Sequence, residues 1–341
     1  MTGDGSGHAV LVEEPRRLRL IPYEPTPPGP GEALVEVAWS GICGSDRELF
    51  TGGRPEGFVR YPVIPGHEWS GTVSEVGSGV SSDLIGKPVV GEGFRSCRVC
   101  SACRRGDNNL CSADYDETGF TQPGAWANYL TLPAHLLHVL PGGADLQAAA
   151  LLEPAACVTA ACLELATVPG ERVAVVGGGS LGLLAVQLLS AASPAEMVLV
   201  HLDRTRSQLA ESCGATMVIT AEEAESHVGK FDAVLEAAGA SGTASLATRL
   251  ACRGGRVALT GAPADDRQPL SSTQLVLSKL TVHTVFGAPS RAWVHAVRAF
   301  TSGVLDPKLI ISRDLRLSEA ADALRILEEE SRSTVKILLR P

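Results

Sequence analysis

The ten residues Val173–Gly182, VAVVGGGSLG, constrain the fold more than any other stretch of this chain. An apolar run enters Gly177, Gly178 and Gly179; Ser180, Leu181 and Gly182 follow, and then LLAVQLLSAA. That pattern predicts a buried strand, a glycine turn and a helix start. Gly177, Gly179 and Gly182 match G-x-G-x-x-G, in which the glycines make a tight turn, admit a pyrophosphate and let helix pack on strand. Ser180 and Leu181 open the helix, whose free N–H groups and positive dipole end favour phosphate. The competing reading is a glycine turn with no ligand. Asp203 closes the next apolar run, MVLVHLD, 21 residues after Gly182. A carboxylate at that distance is expected to meet a ribose 2′-hydroxyl, so the stretch is read as a dinucleotide site.

Six apolar runs alternate with helical patterns from here to Gly287: VAVVGG, MVLVHL, MVI, AVLEAAG, RVALTG and TVHTVFG. Alternation of this kind predicts an α/β unit with a six-stranded, doubly wound parallel sheet. Gly239, in VLEAAGA at the end of the fourth run, and Phe286 are expected to line the cofactor site. A carboxylate at Asp203 repels a 2′-phosphate and so favours NAD. Arg204 and Arg206 follow at once and would soften that preference toward NADP, unless they are plain surface charge.

A chain of 341 residues has length for a second domain. Residues 8–14 and 33–40 pattern as strands, separated by the proline-rich PYEPTPPGPGE. The net charge of −9 argues against nucleic-acid or anionic-membrane partners. No apolar run reaches the ~18 residues that span a bilayer, and the N-terminus lacks the basic flank and apolar core of a signal peptide. Nine cysteines, an odd number, fit a reducing, cytoplasmic setting with metal-bound thiolates better than a disulfide framework.

Cys97, Cys100, Cys103 and Cys111 in CRVCSACRRGDNNLC make the most specific metal signal. Four soft ligands close a tetrahedral shell, which predicts a structural zinc. Short spacings also serve iron–sulfur clusters, but no proline follows the last cysteine and no second cysteine group is present. A second set is looser: Cys43 in the turn SGICGSD, and His67 and Glu68 in PVIPGHEWSGTVSEV. Each alone reads as packing; a thiolate, an imidazole and carboxylates in one domain suit a catalytic zinc with one open position. Glu153, in the apolar LLEPAACVTAA, is either a helix-start carboxylate favoured by the dipole or a further metal ligand. GFTQPGAWANYLTLP, residues 119–133, reads as structural.

In chain order, GICGSD, PGHEWSGTV, the cysteine lobe, LLEP, VAVVGGGSLG and the C-terminal tail resemble a zinc-dependent medium-chain dehydrogenase of the alcohol dehydrogenase superfamily over essentially the full length. LLEP is similar to the polyol branch; YPVIPGHEWSGTV and GFTQPGAWANYLTLP are most similar to cyclitol dehydrogenases of aminoglycoside assembly. The resemblance implies a chaperonin-10-like β-barrel catalytic domain, residues 1–150 and 288–341, and a Rossmann domain, residues 151–287, with the active site in the cleft between them. It implies two zinc ions per chain. Cys43 and His67 would hold the catalytic one, with Glu68 or Glu153 completing the set, and the four lobe cysteines the structural one. Ser45 would contact the substrate hydroxyl and begin a proton relay. Polyol relatives often carry histidine where this chain has Glu48, so the relay beyond Ser45 differs.

The implied reaction moves a hydride between a secondary alcohol and a nicotinamide. Four Trp and seven Phe supply few aromatic walls, which favours a small polar alcohol or ketone as the substrate. An apolar strand such as TVHTVFG suits pairing of copies into a homodimer or homotetramer. The rival readings are a threonine or simple polyol dehydrogenase, a non-catalytic zinc and nucleotide sensor, and a zinc-free reductase relative. The last would lack the cysteine lobe and the Cys43–His67 pair.

Overall fold

The computed structural model describes residues 7–263, 269–330 and 332–341. The chain divides into two compact units at Glu153/Pro154 and Ile310/Ile311, the first unit taking both ends of the chain. Strands among the described residues are numbered in chain order.

In the first unit β1 (Gly7–Glu14) and β2 (Arg17–Tyr23) form an antiparallel pair. The main sheet holds β3 (Glu32–Gly41), β4 (Trp69–Val76), β5 (Pro88–Gly91), β6 (Tyr129–Pro133), β7 (Leu137–Val139), β14 (Ile311–Arg316) and β15 (Lys336–Arg340). Its order is β14-β15-β3-β4-β5-β7, with β6 also on β3. Alternate residues of these strands meet in one core: Val35 and Val37 of β3, Trp69 and Val73 of β4, and Leu130 and Leu132 of β6. A second core joins Val10 and Trp126 to Ile337 and Leu339 of β15 and to Leu324 of the helix Ala320–Glu329. Those apolar contacts are why the C-terminal tail belongs to this unit.

The second unit carries the alternation seen in the sequence. Its strands are β8 (Arg172–Val176), β9 (Glu196–His201), β10 (Met217–Thr220), β11 (Phe231–Glu236), β12 (Ala251–Leu259) and β13 (Thr281–Thr284). All pair in parallel, in the order β10-β9-β8-β11-β12-β13. This is the doubly wound order, which reverses between β8 and β11. Residues such as Val173, Val175, Val198 and Val234 are fully buried, because helices cover both faces of a parallel sheet.

The boundary after β13 differs from the expected one. Residues 288–310 group with the second unit, not with the tail. The helix Ser290–Thr301 buries Ala292, Trp293 and Ala296. Beyond it, Gln187 clamps Asp306 through both backbone groups: Asp306 N–H donates to Oε1 at 2.7 Å, and Nε2 donates to Asp306 O at 3.1 Å.

Candidate functional site

Cys43 is the N-cap of the helix Gly44–Thr51. Asp46, three residues on, accepts the Cys43 backbone N–H at Oδ2, 2.8 Å away. Its other oxygen lies 3.4 Å from His67 Nδ1, and both side chains are buried. One carboxylate thus orients two metal-donor residues, the arrangement by which an outer carboxylate fixes a histidine ligand. Burial opposes charge on His67, but Asp46 outweighs it and holds the imidazole pKa well above the usual histidine range. His67 Nε2 lies 3.3 Å from Ser45 Oγ.

Glu68 completes this group. The donor atoms of Cys43, His67 and Glu68 all lie within 4.8 Å of one another. Lys336, from β15, donates to both Glu68 oxygens at 2.8 and 2.7 Å and to Ile42 O at 3.1 Å. Burial works against the Lys336 charge, yet Glu68 and Cys43 raise its pKa overall. Glu153 sits in the first turn of the helix Leu152–Leu165 and is outside the donor group. A sulfur, a nitrogen and a carboxylate oxygen gathered from half-buried Cys43 and buried His67 and Glu68 fit zinc, and three protein ligands leave a position open.

Behind His67 the ring of Phe120 stands 4.7 Å away, centroid to centroid, with the Arg54 guanidinium 3.8 Å above it. Glu117 is buried beside this stack. Burial pushes its carboxyl up to about 8; His67 and Arg54 oppose that, and Glu153 adds to it. The sequence reading missed Asp46, Lys336 and Glu117.

The four lobe cysteines also converge within 4.8 Å. Cys100 and Cys103 sulfurs are 3.4 Å apart, and those of Cys97 and Cys103 3.9 Å. A tetrahedral zinc with four sulfurs spaces them about 3.8 Å apart, whereas a disulfide needs about 2 Å. Backbone N–H groups of Cys103 and Ser112 bring the Cys100 thiol down to about 5, which readies a thiolate for metal. Loss of one ligand from a structural site removes folding energy. Cys100→Ala should therefore lower the melting temperature by about 5 °C or more and release one zinc, read by calorimetry with metal analysis. An unchanged melting temperature and metal content would sink the assignment.

In the second unit Gly177, with φ +110°, makes the turn after β8. A Cβ at Gly182 would lie 1.8 Å from Gly177 O, so only glycine lets the helix Ser180–Ser190 pack this close. Gly179 is that helix's N-cap and Ser180 and Leu181 its first turn. A cavity of about 260 Å³ opens there, lined by Gly177, Gly178, Gly179, His201, Leu202 and Ala238 among others. It lies where the strand order reverses, the place an open α/β sheet binds ligand.

The expected ribose contact is displaced. β9 ends at His201, and Asp203 lies two residues beyond it. Asp203 Oδ1 accepts the Thr205 N–H at 2.8 Å and the Thr205 hydroxyl at 2.5 Å, so it braces a turn. Arg204 donates to Val218 O at 2.9 Å and pairs with Glu223 at 2.6 Å. Gly239 N–H donates to Glu236 Oε1 at 2.8 Å; Ala238 and Ala240 line the cavity beside it. Phe286 is half exposed and is not among the lining residues.

Comparison with known proteins agrees with both halves. Residues 29–142 match the alcohol dehydrogenase GroES-like domain, and residues 180–302 the zinc-binding dehydrogenase domain. A sorbitol dehydrogenase of Halalkalibacterium halodurans is 30% identical, over 100% of this chain and 98% of that protein. An L-threonine 3-dehydrogenase of Streptomyces coelicolor is 30% identical over 83% of this chain and 85% of its own. The crystal structure of a zinc-binding dehydrogenase from Sinorhizobium meliloti, bound to NADP, superposes with a TM-score of 0.89 at 30% identity, covering 98% of this chain and 99% of that one. No helix among the described residues is long and apolar enough to cross a membrane.

Proposed function

Since the chain belongs to the zinc-type medium-chain alcohol dehydrogenase superfamily, a GroES-like domain joined to a Rossmann-type one, we propose that it transfers a hydride between a secondary alcohol of a polyol or (amino)cyclitol and a nicotinamide. It is an NAD(P)-dependent oxidoreductase of CH–OH groups. The observation that carries the finer reading is the Cys43–His67–Glu68 group, half-buried at Cys43 and buried at the other two, with Asp46 and Lys336 against it. Sorbitol and threonine dehydrogenases among its relatives point to small polar alcohols. The YPVIPGHEWSGTV and GFTQPGAWANYLTLP stretches favour the cyclitol branch.

Cys43, His67 and Glu68 hold one zinc in this reading, and Cys97, Cys100, Cys103 and Cys111 a second. Zinc at the first site supplies a Lewis acid that makes an alcohol O–H more acidic; the nicotinamide supplies the hydride chemistry. Asp46 holds His67 from its Nδ1 side and Cys43 through its backbone N–H. Ser45 Oγ, 3.3 Å from His67 Nε2, takes the alcohol proton and passes it outward. Glu48, exposed on the same helix, stands where a relay histidine would. Asp203 Oδ1 is engaged by Thr205, and His201 rather than a carboxylate ends β9, so either nicotinamide is admitted.

The test is reduced-nicotinamide absorbance with NAD or NADP over a panel of aminocyclitols, inositols, linear polyols, threonine and simple alcohols. Turnover of inositols or aminocyclitols is expected. Turnover confined to linear polyols or threonine would discard the cyclitol branch, and none at all would move the substrate outside these classes.

A further inference from the structure

The first unit holds a cavity that the reaction above does not use. Its volume is about 410 Å³, within the range of small-ligand pockets. Arg316, at the end of β14, and Arg340, at the end of β15, line it together. The two strands run parallel and Arg316 is the register partner of Arg340, so both side chains leave the same face of the sheet, one strand spacing apart. Like charges so placed repel. Neither guanidinium pairs with a carboxylate among the described residues, that of Pro341 at the cavity included. The nearby Glu319 carboxylate accepts the Arg316 backbone N–H at 2.9 Å instead. Arg340 stands over the Trp39 ring, 6.0 Å from its centroid, a contact that uses none of its N–H donors.

The rest of the lining has the same bias. Asn128 Oδ1 accepts the His8 backbone N–H at 2.6 Å, which leaves the amide N–H donors as its open pole. Ser318 adds a hydroxyl, and Leu20 and Leu317 add apolar surface. No Asp or Glu side chain lines the cavity, in a chain whose net charge is −9. The cavity is set apart from the metal-donor group: Arg340 lies four residues along β15 from Lys336, about 13 Å at strand rise.

Two adjacent guanidiniums with no counter-charge match a dianion, whose oxygens can take parallel N–H bonds from both. We propose that this cavity binds the phosphate monoester of a small molecule, the phosphate between Arg316 and Arg340 and the organic body against Leu20 and Leu317. The site lies outside the alcohol chemistry and does not depend on it.

The test is calorimetric titration of the zinc-loaded protein, with NADH in excess to fill the dinucleotide site. The probe is phenyl phosphate, which carries no alcohol for the reaction site; phthalate, a dicarboxylate on the same ring, is the comparison. Wild type should bind one phenyl phosphate per chain. Arg316→Gln and Arg340→Gln should each weaken binding at least about tenfold, and the double variant should abolish it. Both arginines are exposed, so the variants should melt as wild type does. Ser318→Glu, which puts a carboxylate into the lining without touching either arginine, should also abolish binding. Arg325→Gln alters an exposed arginine paired with Asp322 and Glu329 outside the cavity and should leave binding unchanged. The proposal is overturned if phenyl phosphate shows no saturable binding below about 10 mM, or if the double variant and Ser318→Glu bind it as wild type does. It is equally overturned if Arg325→Gln weakens binding as much as the cavity variants, or if phthalate binds as tightly as phenyl phosphate.

Discussion

Cys43→Ala should lower kcat/KM by at least about 10³-fold, more than about 4 kcal/mol of transition-state stabilisation. The protein should stay folded, with a melting temperature close to wild type. The substitution removes a sulfur but leaves the backbone N–H that donates to Asp46 Oδ2, so the helix Gly44–Thr51 keeps its start. Only His67 and Glu68 then remain of the donor group, and two ligands hold zinc poorly. Metal content should fall by one ion per chain, from the proposed two to one. That pattern is the reverse of the one expected for Cys100→Ala, where stability fails first. Wild-type turnover in Cys43→Ala would show that the catalytic metal lies elsewhere.

Features carried by local chemistry were legible in the sequence. The six parallel strands announced themselves as short apolar runs bounded by turns, because strands covered on both faces need no polar alternation. The cysteine lobe was legible because its four ligands fall within fifteen residues, Cys97 to Cys111. Gly182 was legible because no other residue fits against the Gly177 carbonyl. Cofactor selectivity was harder: counting residues leads to Asp203, but β9 stops at His201 and the carboxylate turns back to Thr205. Glu117, within YDET, has the composition of a solvated loop; only its pairing with Phe94 shows that it is buried. Residues 288–310 pattern as an amphipathic helix and a turn, and periodicity does not say which core receives the apolar face. Lys336 is 268 residues from Glu68, and no local pattern links the two.

Lys336→Met tests the most demanding of these distant contacts. The Lys336 and Glu68 side chains are 3% and 0% exposed, and the ammonium donates to both carboxylate oxygens. Replacing a buried pair as a whole is often neutral, but removing one partner strands the other charge, at a cost of about 3–5 kcal/mol. The loss should appear as a lower denaturant midpoint with the slope of the transition unchanged. The stranded carboxylate is also the proposed third zinc ligand, so the variant should yield zinc faster to a chelator. Glu68→Gln in the Lys336→Met background removes the stranded charge. The double variant should therefore be more stable than Lys336→Met alone, although it still lacks a metal ligand. That split separates the two duties of Glu68, since stability returns and zinc retention does not. A Lys336→Met protein within about 1 kcal/mol of wild type would mean that Glu68 is not held as a buried carboxylate by this lysine. The carboxylate would then have to be neutralised by the metal itself.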